Sequence, residues 1–282
     1  MKLCRYGKPG YEKPGMIDAA GKLRDLSKVV DNIGPNEISP RGLKMLARVK
    51  PASLPLVNGN PRLGVPYVGI GKFVAIGLNY SDHAKEAGLP IPPEPIVFMK
   101  ATTCISGPND DVVQPRNSTK LDWEVELAIV IGSQARYVDE ASALSHVAGY
   151  CIVNDVSERS FQMATTQWDK GKGFDTAGPI GPWLVTADEV GDPQRLDMTL
   201  EVNGKRMQTG NTRTMIFSCA KIISHVSQYM TLLPGDIICT GTPPGVGLGI
   251  KPTPLFLKPG DVMRLTIAGL GEQKQRIVAY SA

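Results

Sequence analysis

Asp122-Trp-Glu-Val-Glu-Leu-Ala-Ile-Val-Ile131 carries the clearest periodic pattern in the chain. Trp123, Val125, Leu127, Ile129 and Ile131 fall on one side of an alternation of two, the period of a β-strand, and Glu124, Glu126, Ala128 and Val130 share the other side. Side chains at i and i+2 of a strand point the same way, with Cα atoms about 7 Å apart, so Glu124 and Glu126 can converge on one cation. Apolar residues opposite them predict a packed strand, where two like charges repel unless a cation or basic groups compensate. By spacing alone the pair reads as a metal site, a solvated face or two salt bridges.

Working outward, the spacing predicts a helix over Ala141–His146 and a buried strand over Gly149–Val153, with a third carboxylate, Asp155, just beyond it. Asp155 reads either as a ligand or as a helix cap. Upstream, Phe73–Leu78 is a short apolar strand leading into Asn79-Tyr-Ser-Asp-His83. Ser81 or Asp82 is placed to cap a helix through Glu86, which Gly88 and Pro90 stop, and GLPIPPEP (88–95) is a loop. Downstream, Cys219–Tyr229 has helical spacing, and Pro-Gly-Asp turns at 234–236 and 259–261 precede strands over Ile237–Thr240 and Val262–Ala268. Short strands between such turns, with few helices, predict a β-rich α+β domain. Residues 1–71 read as a small N-terminal domain ending in a Pro/Gly-rich connector, and 72–282 as a larger unit.

Composition narrows the function. A hydrophobic fraction of 42% and a charged fraction of 21% are those of a folded globular protein. No apolar run approaches the roughly 20 residues that span a bilayer, and MKLCRYGKPGYEKPG has no apolar segment after its basic residues, so a cytoplasmic protein without membrane partners is expected. The net charge of +4 is scattered, which argues against a nucleic-acid partner. Five cysteines, an odd number with no CxxC pair, make a disulfide framework or a cysteine zinc site a poor reading. With only three histidines, a metal site must rely on carboxylates, which suits magnesium, manganese or calcium.

Other chemistry-bearing residues are weaker alone. His83 and Glu86, three apart on a helix, form either a general base with its orienting carboxylate or a surface ion pair. Arg159 and Gln162 share a helical face. Gly241-Thr-Pro-Pro-Gly-Val-Gly247 lacks the ending of a phosphate-binding loop, yet Thr242 and its backbone amides can receive a carboxylate. Lys172 sits between two glycines that leave its ammonium little shielded, and His146 and His225 read as structural.

Together, N-Y-x-x-H-x-x-E (79–86), D-W-E-x-E (122–126), N-D-x-x-x-R-x-x-Q (154–162), G-K-x-F-D (171–175) and G-T-P-x-G-V-G (241–247) resemble the fumarylacetoacetate hydrolase family. The opening MKLCRYG…EKPGMID and Asn109–Asp111 are similar to a bacterial subgroup of ureidoglycolate lyases and 2,4-diketo-3-deoxy-sugar-acid hydrolases. The resemblance implies a mixed β-roll catalytic domain with a small N-terminal domain, assembled as a homodimer or higher oligomer. It implies Mg²⁺ (or Mn²⁺ or Ca²⁺) on Glu124, Glu126 and Asp155, and a water activated by His83 held by Glu86. Lys172 and Gln162 would then steady developing oxygen charge, Arg159 and Thr242 would contact substrate oxygens, and the segment from Ser81 to about Pro95 would act as a lid. The implied reaction is hydrolysis of a carbon–carbon bond in a small 2,4-dioxo acid. Ureidoglycolate cleavage, oxo-acid decarboxylation and dienoate isomerisation use the same metal chemistry.

Overall fold

In the computed structural model, which describes residues 1–281, the alternating stretch lies at the heart of a ten-stranded sheet. Its strand runs Val125–Ile131, all seven residues buried, between the antiparallel neighbours Val147–Asn154 and Ile237–Cys239. Beyond Ile237–Cys239 the sheet continues through Phe73–Gly77, in parallel, and Ile96–Lys100. On the other side follow Gly178–Thr186, Lys2–Tyr6, Lys13–Ile17 and Leu23–Asp25. A second sheet of five strands, Lys205–Asn211, Asp197–Val202, Val262–Ile267, Gly271–Ala279 and Val112–Gln114, packs against the first. Buried Gln273 and Gln275 stitch the layers together: Gln273 donates to the Ile152 and Gly181 carbonyls at 2.8 and 3.0 Å, and Gln275 accepts from Asn154 at 3.1 Å. This is a β-rich α+β fold, as the turn and strand pattern predicts.

The expected single strand over 122–131 is interrupted. Leu121–Asp122 pairs with Ser157–Glu158 in a separate two-stranded piece, and regular pairing resumes only at Val125. Side-chain acceptors replace ladder partners in the gap: the Trp123 amide donates to Asp122 Oδ1 at 2.8 Å and the Glu124 amide to Asn154 Oδ1 at 3.2 Å. Residues 1–71 supply three strands and the helix Pro40–Leu46, and Lys2 and Leu3 pair with Val185 and Leu184, so one sheet runs across the expected boundary at residue 72.

Two cap expectations change. The helix Ser81–Ala87 starts from Tyr80 with no side-chain cap, because Asp82 is engaged by the Thr214 hydroxyl. The helical turn that carries Arg159 and Gln162 begins at Arg159 and is capped not by Asp155 but by Glu158, which accepts from the Phe161 amide at 2.8 Å. All five cysteines are free and buried, and burial pushes thiols such as Cys4 and Cys219 up to about 12, which leaves them unreactive. Among the described residues no helix is long and apolar enough to cross a membrane.

Candidate active site

Four segments bring carboxylates and cations to one cavity of about 680 Å³. Glu124 enters from the strand break, Glu126 from the central strand, and Asp155 from just past the neighbouring strand's end. Lys172 ends the short helix Asp169–Lys172. Each of the three carboxylates offers an oxygen within 4.8 Å of the others, and all three side chains are buried. The helix-cap reading of Asp155 does not hold, since its oxygens accept from Lys100 at 2.6 Å and Lys172 at 2.7 Å.

The charges around the cluster are paired with one exception. Arg159 spans Asp122 at 2.8 Å, Glu124 at 2.7 Å and the Gln162 amide oxygen at 3.0 Å. Lys172 bridges Glu124 and Asp155, each at 2.7 Å. Lys100, fully buried, holds Asp155 and the carbonyls of Lys172 and Ala177. Four carboxylates thus face three cations, and the one left without an ion pair among the described residues is Glu126, which accepts only the Gly241 amide at 2.7 Å. Burial, then repulsion from Asp155 and Glu124, pushes the Glu126 carboxyl well above its ordinary range. Burial would raise Glu124 as well, but Lys172 and Arg159 outweigh it and hold that carboxyl far below. A buried all-oxygen set with surplus negative charge fits a hard divalent cation.

His83 and Glu86 line the same cavity. His83 Nδ1 lies 3.1 Å from Glu86 Oε2, and both Glu86 oxygens take the Gly245 amide at 3.1 Å. The pair is therefore more than a surface ion pair: it ties the helix Ser81–Ala87 to the glycine-rich loop. Asn79 fixes the start of that segment, donating to the Thr240 carbonyl at 2.8 Å and accepting from the Phe217 amide at 2.8 Å. Thr242 lines the cavity, but its hydroxyl donates to the Val125 carbonyl at 2.9 Å and accepts from Gln208 at 2.8 Å, so much of its capacity serves the loop itself. His146 bonds the Ser133 hydroxyl, and His225 packs edge-on against Tyr229, both away from the cavity.

Two members of the site escape the sequence reading. Asp122 appears only as a letter of a motif, yet it accepts from Arg159 and from the Gly247 and Leu248 amides, joining the carboxylate cluster to the glycine-rich loop. Lys100 closes an apolar strand, where a lysine usually points to solvent, and nothing local marks it as buried.

Gly171 sets the aim of Lys172. A Cβ there would lie 2.5 Å from the Gln162 backbone nitrogen and 2.6 Å from the Glu158 backbone carbonyl oxygen, so only glycine lets the two short helices touch. Gly171→Ala should therefore displace Lys172, lowering kcat about 100-fold at a stability cost of roughly 1–3 kcal/mol. Steady-state kinetics and a thermal melt check it, and a kcat near wild type would show that this contact does not set the lysine's position.

A layered β-rich frame that gathers three buried carboxylates, a lysine and a His–Glu pair around one cavity defines an enzyme built on a candidate divalent-metal centre. Residues 72–278 match the family model described as fumarylacetoacetate (FAA) hydrolase C-terminal. A provisionally named hydrolase of Burkholderia cenocepacia is 61% identical over 276 residues, covering 98% of both chains. Among solved structures, a fumarylacetoacetate hydrolase from psychrophilic Exiguobacterium antarcticum superposes with a TM-score of 0.89 at 36% identity, covering 99% of this chain and 100% of that one. A 5-carboxymethyl-2-hydroxymuconate delta-isomerase from Mycobacterium smegmatis gives 0.78 at 31% identity, with both chains covered in full. The chain belongs to the fumarylacetoacetate hydrolase family.

Proposed function

We propose that the chain is a hydrolase cleaving a carbon–carbon bond in a small 2,4-dioxo acid, an acylpyruvate or a 2,4-diketo-3-deoxy-sugar acid, with Mg²⁺ (Mn²⁺ or Ca²⁺ in its place) on Glu124, Glu126 and Asp155. The observation that carries this reading is the His83–Glu86 pair opening onto the same cavity as the carboxylate triad. When bound, the ion supplies a Lewis acid for the substrate's carboxylate and 2-oxo oxygens. Glu86, held by the Gly245 amide, accepts from His83 Nδ1 and so leaves Nε2 free to take a proton. Water deprotonated at Nε2 attacks the 4-oxo carbon, and the bond between carbons 3 and 4 breaks with its electron pair moving into the leaving oxo-acid. Lys172, Arg159 and Gln162 line the cavity where that oxygen charge develops, and protonated His83 returns the proton to carbon 3.

Spectrophotometric loss of an acylpyruvate, with pyruvate released in the presence of Mg²⁺ and suppressed by a chelator, tests the reaction. In the same assay His83→Ala should lower kcat about 1000-fold while the Mg²⁺-induced rise in melting temperature is kept. Retained turnover would remove the base from the mechanism. Because a 31% identical relative with the same fold is named an isomerase, a dienoate isomerisation is the second reading. It conserves substrate mass, so mass spectrometry of the product separates the two.

A further inference from the structure

The cavity is divided. Its inner end holds the buried charges already described, whereas its outer wall is made of Leu78, Ile96, Phe98, Trp168, Met163 and Leu248. Phe98 touches both parts: the Lys172 ammonium lies 5.4 Å from its ring centroid, and Trp168 meets it edge-on at 5.3 Å. Trp168 is set firmly, for a Cβ at Gly77 would fall 2.6 Å from the indole, so the ring lies directly on the strand's backbone. Nearer the mouth, Leu89, Met163 and Leu248 line the cavity although 53%, 70% and 40% of their surfaces are exposed. An exposed apolar cluster around a pocket marks a site that is covered when occupied.

Outer-wall cations are scarce. Arg159 and Lys172 are committed to Asp122, Glu124 and Asp155, and Lys251 is the one lining cation without an ion pair among the described residues. It is exposed, where water screens a lone ammonium. A second carboxylate placed along the outer wall would lose hydration without a buried partner.

We propose that the outer half of the cavity is a subsite for an uncharged apolar substituent. The substrate of the reaction proposed above, on which this assignment rests, is then an acylpyruvate carrying an alkyl or aryl acyl group, in preference to a dioic or polyhydroxylated acid. Phe98, Trp168 and Met163 determine that preference.

The test is calorimetric binding of 2-oxo acids to the full-length, Mg²⁺-loaded protein, with pyruvate, 2-oxohexanoate, 2-oxooctanoate and the chain-matched 2-oxooctanedioate as probes. Affinity should rise about fourfold per added methylene, with 2-oxooctanoate at least tenfold tighter than the dioate. Trp168→Ala should flatten the rise. Met163→Arg, at a position exposed enough to tolerate it, should shift the alkyl-to-dioate ratio at least tenfold towards the dioate. A flat series, a dioate that binds as well as the alkyl acid, or variants with the wild-type ratio would each overturn the proposal. Turnover of the matching acylpyruvates is followed in parallel. Chain-length preference without any cleavage would remove the hydrolase reading and leave the apolar subsite standing, whereas cleavage without that preference would do the reverse.

Discussion

Glu126→Gln is expected to abolish the Mg²⁺-induced rise in melting temperature and lower kcat about 1000-fold, yet make the metal-free protein more stable. Among the described residues Glu126 is the cluster carboxylate without an ion pair, pressed by Asp155 and Glu124 and supported by a single backbone amide. Glutamine keeps an oxygen for the Gly241 amide and removes the uncompensated acid. The gain should be roughly 1–2 kcal/mol, a shift of several degrees. Glu124→Gln should behave oppositely in the metal-free state. Burial is outweighed there by Lys172 and Arg159, so deleting the charge weakens a bond to each of two buried cations, which keep Asp155 and Asp122 respectively, and costs about 2–3 kcal/mol. Differential scanning calorimetry of both variants, with and without Mg²⁺, checks the pair. If Glu126→Gln still responds to the ion as wild type does, Glu126 is not a ligand.

The contrast between these neighbouring glutamates shows what sequence can and cannot deliver. Period-two alternation places Glu124 and Glu126 on one side of a packed strand, and the central strand, the long helix Cys219–Tyr229 and the strands after both Pro-Gly-Asp turns form as their local patterns predict. Alternation does not reveal that the strand breaks at Trp123–Glu124, because the acceptors that permit the break are the side chains of Asp122 and Asn154, the latter 30 residues from Glu124. Nor does it reveal which glutamate is neutralised. Arg159 and Lys172 reach Glu124 from two short helices whose contact depends on Gly171, a non-local fit with no periodic signature. Lys100 is hidden for the same reason: its partners are Asp155, 55 residues on, and two backbone carbonyls. The nine site residues that the motif resemblance implies, by contrast, do line one cavity.

Lys172→Met should separate two roles that one ammonium holds in this structure. Its nitrogen lies 2.7 Å from both Glu124 and Asp155, between two of the carboxylates that a divalent ion would share. Removing it leaves two buried carboxylates short of a cation, so the metal-free variant should lose about 3–5 kcal/mol. Mg²⁺ restores positive charge at that point, and its stabilising effect should exceed that in wild type by a large part of the loss. If the lysine also steadies oxygen charge on the substrate, saturating Mg²⁺ recovers the fold but not the rate, and kcat stays about 100- to 1000-fold down. Lys100→Met is the control. Lys100 holds Asp155 from behind and does not line the cavity, so its loss should destabilise the fold comparably while the remaining folded enzyme keeps far more of its kcat. Melting curves at several Mg²⁺ concentrations, with kcat measured at saturating ion, distinguish the cases. A Lys172→Met enzyme within about threefold of wild-type kcat under those conditions would reduce the lysine to a counter-charge, because the full effect expected of a group contacting the reacting oxygen would be missing.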